Sequence, residues 1–198
     1  MKKYGLRPPR GRGKPHFCTR SIGHRTYPNR LKGREITHEN QLWCSDTSGF
    51  RFQGIMWYLV TIMDIFTRKV IAAATGRHHN SALVSKTIQT AIMKAHAAPS
   101  LFHSDQGTEF MAAVCTTLLE AVGTRISATD KAAPWQNGHQ ESFFGRFKEE
   151  MGDMNRFEAP GELMEAIYHY IHYYNTERIH TALKMPPSVY AEQFLKKS

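Results

Sequence analysis

A chain of 198 residues, 41% of them hydrophobic, is long enough and apolar enough to bury one domain core, which excludes a disordered polymer. No apolar run approaches the roughly 18 residues that cross a bilayer, and no apolar stretch follows the basic N-terminus, so a membrane span and a secretory signal are both excluded. Three cysteines at unrelated spacings, Cys18, Cys44 and Cys115, form no disulfide framework and point to a reducing cytoplasm.

The net charge of +9 is unevenly placed. Residues 1–34 hold eleven Lys or Arg and no acid, whereas the remainder holds 15 Lys or Arg against 17 Asp or Glu. Residues 1–40 are punctuated by Pro and Gly and read as a loop, so residues 1–37 form a basic arm suited to polyanions through phosphate contacts. Arg7, Arg10, Arg12 and Lys14 are its candidate DNA contacts. His16, Cys18 and His24 match no usual zinc spacing.

Beyond the arm, Leu42–Ser45 reads as a short strand ending at Asp46. Ile55–Ile62 is a strand apolar enough to be central, and Lys69–Thr75 is a third. Gln53-Gly54 and Thr67-Arg68 supply the turns of an antiparallel meander. Asn80 caps a helix over Ser81 to about His96, and Ser100–Ser104 is a fourth strand, ending at Asp105. Residues 108–122 read as a helix closed by Gly123, and Arg125–Ser127 as a fifth strand. A polar loop to Gln136 leads into a helix from Gly138 to about Met151, and a last clear helix spans Glu162–Tyr174. This order predicts an α/β fold with a mixed five-stranded sheet flanked by helices. Residues 38–157 form the core and 158–198 a C-terminal helical extension.

Asp46 and Asp105 both fall at strand ends, where α/β sheets bind ligands, each with a glycine (Gly49, Gly107) within three residues. Asn137 fits as an N-cap with Gln140 as its capping-box partner, which puts Glu141 in the first turns of its helix. Singly, each Asp could be an ordinary turn residue and Glu141 a complement to the helix dipole. Converging, three acids need a positive partner. Hard divalent cations, Mg²⁺ or Mn²⁺, suit an all-oxygen donor set, and two such ions would clamp a phosphodiester in line.

Asp105 and Glu141 have 35 residues between them. With Asn40–Asp46, Phe102–Phe110, Pro134–Gly138 with Glu141–Glu150, and Tyr174–His180, this chain resembles the insertion-sequence transposases that share a retroviral-integrase-like DDE catalytic core. The resemblance covers about residues 38–195. It departs after Asp46, where the family often has a Thr-Tyr pair and Ser48-Gly49 stands here. It implies a ribonuclease-H-like fold, with Asp46, Asp105 and Glu141 as catalytic metal ligands for DNA cleavage and strand transfer in transposition. It also implies a homo-oligomer on DNA in the cytoplasm of a bacterium, at the nucleoid. Related transposases carry a helix-turn-helix region upstream, so a separate helix-turn-helix protein is an expected partner. The alternatives are a remnant that only binds DNA and another nuclease of the same fold.

Lys148 lies two helical turns from Glu141, on its face, with Gly145 between them. The resemblance implies that a basic residue there grips the DNA end. Arg146 and Asn137 are further candidate contacts. Phe143, Phe144 and Phe147 are expected to pack the helix on the core, Asp64 to be structural through Arg68, and His103 to be a packed strand residue.

Overall fold

β1 (Leu42–Phe52) and β2 (Ile55–Asp64) run antiparallel from Trp43↔Asp64 to Phe52↔Ile55. Gln53 and Gly54 join them, both at positive φ (49° and 77°), as a two-residue hairpin requires and as glycine bears without steric cost. β3 (Val70–Gly76) pairs antiparallel with β2. The structure is a computed structural model and describes residues 26–130 and 138–195.

α1 (Ser81–Ala95) is capped as expected, the Asn80 side chain accepting the Leu83 N–H at 3.1 Å. β4 (Leu101–Ser104), α2 (Ala113–Ala121) and β5 (Arg125–Ala128) follow, with β4 parallel to β1 and β5 parallel to β4. The sheet is therefore mixed and five-stranded, in the order β3-β2-β1-β4-β5. α3 (Gly138–Met151), α4 (Pro160–Thr176) and α5 (Pro187–Leu195) complete the chain.

Strand alternation divides the core. Leu42, Cys44, Phe50 and Phe52 point to the face covered by α3 and α4, where they meet Phe143, Phe147, Leu163 and Ile167. Trp43, Val60 and Ile62 point to the face covered by α1 and α2, with Val84, Ile88, Cys115 and Leu119. The three phenylalanines of α3 do pack inward, Phe143 edge-on to Tyr174 at 4.9 Å and Phe147 to Tyr170 at 5.3 Å.

Four local expectations change. β1 does not stop at Asp46 but runs six residues further, because Phe50 and Phe52 keep the alternation and Gly49 sits within the strand. The helix expected over 108–122 begins at Ala113. Before it, Phe110 and Met111 donate their N–H groups back to the Gly107 carbonyl (3.1 and 3.0 Å), a turn that buries Glu109, Phe110 and Met111. α5 lies within the expected C-terminal helical extension but was not read as a separate helix. Finally, part of the expected arm lies on the core. Leu31 and Ile36 pack against it, the Arg30 N–H donates to Ser127 Oγ at 2.9 Å, and the Pro28 carbonyl accepts from Ala128 on β5.

Candidate active site

The parallel pairing of β1 with β4 ends at Cys44↔His103. Extending that register by two residues brings Asp46 level with Asp105, just where β4 stops and β1 continues. Asp46 is thus a mid-strand residue at the end of the parallel part of the sheet, not the end of its own strand. It shares a face with Leu42 and Cys44, the face on which α3 lies. The Asp46 carboxylate accepts the N–H of Thr47 at 2.7 Å, and Asp105 accepts that of Gly107 at 3.0 Å.

Electrostatics tie three elements together. Burial, then the negative charges of Asp105 and Glu141, push the Asp46 carboxyl up to about 7, against the Thr47 hydrogen bond and the positive charge of Lys148. Burial and Glu109 likewise raise Asp105, opposed by Gly107 and His79. Like charges that reach one another disfavour ionisation in the absence of a counter-cation. The donor set is all oxygen, which suits Mg²⁺ or Mn²⁺. Among the described residues, no group of three or more His, Cys, Asp or Glu side chains is drawn tightly enough to enclose an ion.

Gln140 is not spent on capping. Its side chain is fully buried; its amide donates to the Cys44 carbonyl at 2.6 Å and its oxygen accepts from the Thr61 hydroxyl at 2.9 Å. Thr61 is the β2 residue opposite Asp46. The residue before Glu141 is therefore fastened to both strands beside Asp46.

Glu109 and His79 were missed by sequence reasoning. His79 Nε2 meets Glu109 Oε1 at 2.7 Å and stacks on Tyr58, ring centroids 5.1 Å apart. The Glu109 hydrogen bond is the main reason His79 is raised. Burial opposes ionisation of Glu109, but hydrogen bonds led by that from His79 hold its carboxyl below the ordinary value. Glu109 is only four residues beyond Asp105, yet it reads as the first turn of a helix until the 108–112 turn is seen. Gly107 lies between the two acids. A Cβ there would come within 2.5 Å of Glu109 Oε1 and 2.9 Å of Asp105 Oδ1.

Lys148 is exposed, and its charge reaches Asp46. Glu149 and Glu150, which could have tied it down, engage Arg146 (3.2 Å) and Arg178 (2.9 Å) instead. Arg146 lies on the other flank of α3. A Cβ on Gly145, on the flank of Glu141 and Lys148, would meet nothing within 4 Å. Asn137, Arg7, Arg10, Arg12 and Lys14 lie outside the described residues. Asp64 is fully buried, as a structural acid should be, but its partners are the N–H groups of Asn40 (2.7 Å) and Thr67 (2.8 Å) and the Thr67 hydroxyl (2.9 Å), not a salt bridge to Arg68. The turn satisfies this carboxylate locally before Arg68 can. His103 is buried in β4, 2.9 Å from Ser127 Oγ.

Two family models described as integrase core domain match this chain, over residues 36–134 and 122–187. It is 34% identical over 160 residues to a transposase-like protein of Haemophilus influenzae, covering 80% of this chain and 74% of that one. It is 31% identical over 151 residues to the transposase for insertion sequence element IS904 of Lactococcus lactis, covering 75% of this chain and 60% of that one. The chain thus spans about three-quarters of the first relative and three-fifths of the second. Among solved structures, a chain of the simian T-cell lymphotropic virus intasome in complex with PP2A regulatory subunit B56 gamma superposes with a TM-score of 0.65 at 16% identity, over 86% of this chain and 60% of that one. The HTLV-2 integrase catalytic core domain in complex with magnesium superposes at 0.59 and 14%, over 78% of this chain and 97% of that one. At these identities the likeness is one of fold, the ribonuclease-H-like fold of integrase cores.

Proposed function

We propose, from the premise that this chain belongs to the integrase core domain family, that it is the catalytic core of an insertion-sequence transposase that cleaves and joins DNA phosphodiesters. The observation that supports the reading is the place of Asp46 at the end of the parallel β1–β4 pairing that leads to Asp105, with the charges of Asp105 and Glu141 both reaching it. Asp46, Asp105 and Glu141 would hold Mg²⁺ or Mn²⁺, in our reading two ions. When bound, these supply charge neutralisation and in-line activation at the scissile phosphate. Around them, Gln140 keeps Glu141 over β1, the His79–Glu109 pair braces the Asp105 turn, and Lys148 grips a phosphate of the DNA end as a point charge. Gly145 leaves room for the backbone between them.

The basic residues 1–25 add sequence-independent affinity for DNA. Joining two transposon ends calls for a homo-oligomer on DNA, and we include a helix-turn-helix partner for end recognition. The bacterial relatives favour action on chromosomal DNA in a bacterial cytoplasm. Among the described residues no helix is long and apolar enough to cross a membrane.

The test is strand cleavage and strand transfer on labelled duplex DNA, with Mg²⁺ or Mn²⁺ against EDTA. The wild type should act only with metal. Asp46→Asn, Asp105→Asn and Glu141→Gln should each abolish product while still binding DNA. Near-normal cleavage by any one of them removes that residue from the site.

A further inference from the structure

A second, cationic site lies on the far flank of α3. A cavity of about 290 Å³ is lined by Arg68 from the β2–β3 turn, His139, Ser142 and Arg146 from α3, and Arg178 and His180 from the segment after α4. Among the described residues, no acid lines it. Arg146 and Arg178 have carboxylate partners outside it, Glu149 and Glu150. Arg68 does not. Its Nε and Nη1 are buried and have no hydrogen-bond partner among the described residues, and the same holds for Nδ1 of His180. The nearby acid Asp64 is saturated by Asn40 and Thr67.

Two buried guanidinium nitrogens without a partner are costly, and the planar fork of Arg68 matches phosphate oxygens. His139 and Ser142 stand in the first turns of α3, where the helix dipole also favours an anion. By helical spacing, His139, Ser142 and Arg146 share one flank of α3, and Glu141, Gly145 and Lys148 the other. A side-chain-clad helix is about 10 Å across, so one DNA strand passing over Gly145 can reach both.

We propose that this cavity is a phosphate site that holds a backbone phosphodiester of the DNA on which the carboxylates act. The inference rests on the reading of the chain as a DNA-processing enzyme. Its chemistry is shared with free phosphate, so two measurements on the full chain separate the sources, both in EDTA.

The first is thermal melting in inorganic phosphate against chloride at equal ionic strength. Phosphate stabilises folded proteins generally, so the reading is the difference between chains. The wild type should gain several degrees more than Arg68→Met, while Lys86→Ala, on exposed α1 surface, should behave as wild type. In chloride Arg68→Met should melt no lower than wild type, since it removes an unpaired charge. The second is binding of a fluorescent 30-base-pair duplex across a salt series. Arg68→Met should weaken binding about tenfold and flatten the log–log salt slope by about 0.9, the value for one phosphate. Arg146→Gln, on the outer wall, should show a smaller loss of the same kind and serves if Arg68→Met does not fold.

Equal phosphate gains in wild type and variants overturn the site. A phosphate gain specific to the wild type, with unchanged salt slopes, overturns DNA as the occupant. Failure of the wild type to bind duplex at any salt overturns the proposed function itself, and with it the DNA occupant, whatever the melting shows.

Discussion

Gln140 and Cys44, 96 residues apart in the chain, are joined by a hydrogen bond of 2.6 Å from the side-chain amide of one to the backbone carbonyl of the other. With the Thr61 hydroxyl on its other end, Gln140 fixes where α3 enters the site, and so where Glu141 stands relative to Asp46. Gln140→Leu keeps the volume and removes both bonds. Leaving buried polar groups unmatched should cost about 1–3 kcal/mol. The turnover of strand transfer should fall on the order of 10²-fold from misplacement of Glu141, with DNA affinity nearly unchanged. A variant that melts lower yet turns over at the wild-type rate would show that Gln140 only stabilises the fold.

Asp46 makes metal-free stability pH-dependent. Its carboxyl lies near 7 in the fold, against an ordinary value of 3.8. The native state therefore keeps this proton to higher pH than the unfolded chain. The stabilising contribution is complete at low pH and is lost as pH rises from about 4 to about 7. Asp46→Asn lacks this loss, so in EDTA its advantage in melting temperature should be greater at pH 8 than at pH 5, at about 2–4 °C per kcal/mol for a chain of this size. Mg²⁺ competes with the same proton and should raise the wild-type melting temperature more at pH 8 than at pH 6, and Asp46→Asn little at either. Parallel curves for the two proteins in EDTA would remove Asp46 from the account.

Gly107→Ala should separate chemistry from folding. The added methyl meets the carboxyl ends of two side chains, Asp105 and Glu109, which can yield without moving the backbone. Displacing the Asp105 carboxylate should nevertheless lower cleavage on the order of 10²-fold. Full activity, measured as initial rate at saturating Mg²⁺, would mean that the two carboxylates do not need this placement.

Two deletions should separate DNA affinity from folding in the N-terminal region. Deleting residues 1–25 removes eight Lys or Arg. It should flatten the salt dependence of DNA binding by about 0.9 for each phosphate no longer neutralised. Deleting residues 1–36 also strips Leu31 and Ile36 from the core and the Arg30 bond from Ser127, and should lower the melting temperature. Identical salt slopes for the full chain and the 1–25 deletion would exclude the segment as a phosphate binder.

Where local pattern and tertiary demand agreed, the sequence was legible. β2 is largely apolar because both of its faces are covered, Leu59 and Met63 in one core and Val60 and Ile62 in the other, and Asn80 announces α1 because only a capping side chain is needed there. The placing of Asp46 and Asp105 toward one end of neighbouring strands was approachable because both follow apolar runs. Reading Asp46 as a strand end failed because a polar Asp-Thr-Ser-Gly stretch looks like a turn, and only the sheet shows Phe50 and Phe52 resuming the alternation. Glu109 was hidden inside a helical period that the Gly107 turn breaks. Gln140 looked like a capping partner because sequence shows its neighbours on α3 but not the β1 carbonyl beneath it. The Arg68 cavity draws on segments about 70 and 110 residues apart along the chain, and no local pattern announces such a meeting.

The Ser127 hydroxyl, which accepts from Arg30 and faces His103 across 2.9 Å, has a mechanical consequence. Residues 28–30 run along the rim of the sheet at β5, beside the strand that leads to Asp105. Glu141, by contrast, is held through Gln140 from the covered face of β1 and β2. Tension on the basic segment, as when bound DNA shifts, is thus delivered to a rim strand and its hydrogen-bonded neighbour. The helix bearing Glu141 is anchored elsewhere, so the grip on a long polymer can slacken or tighten without carrying that helix along with it.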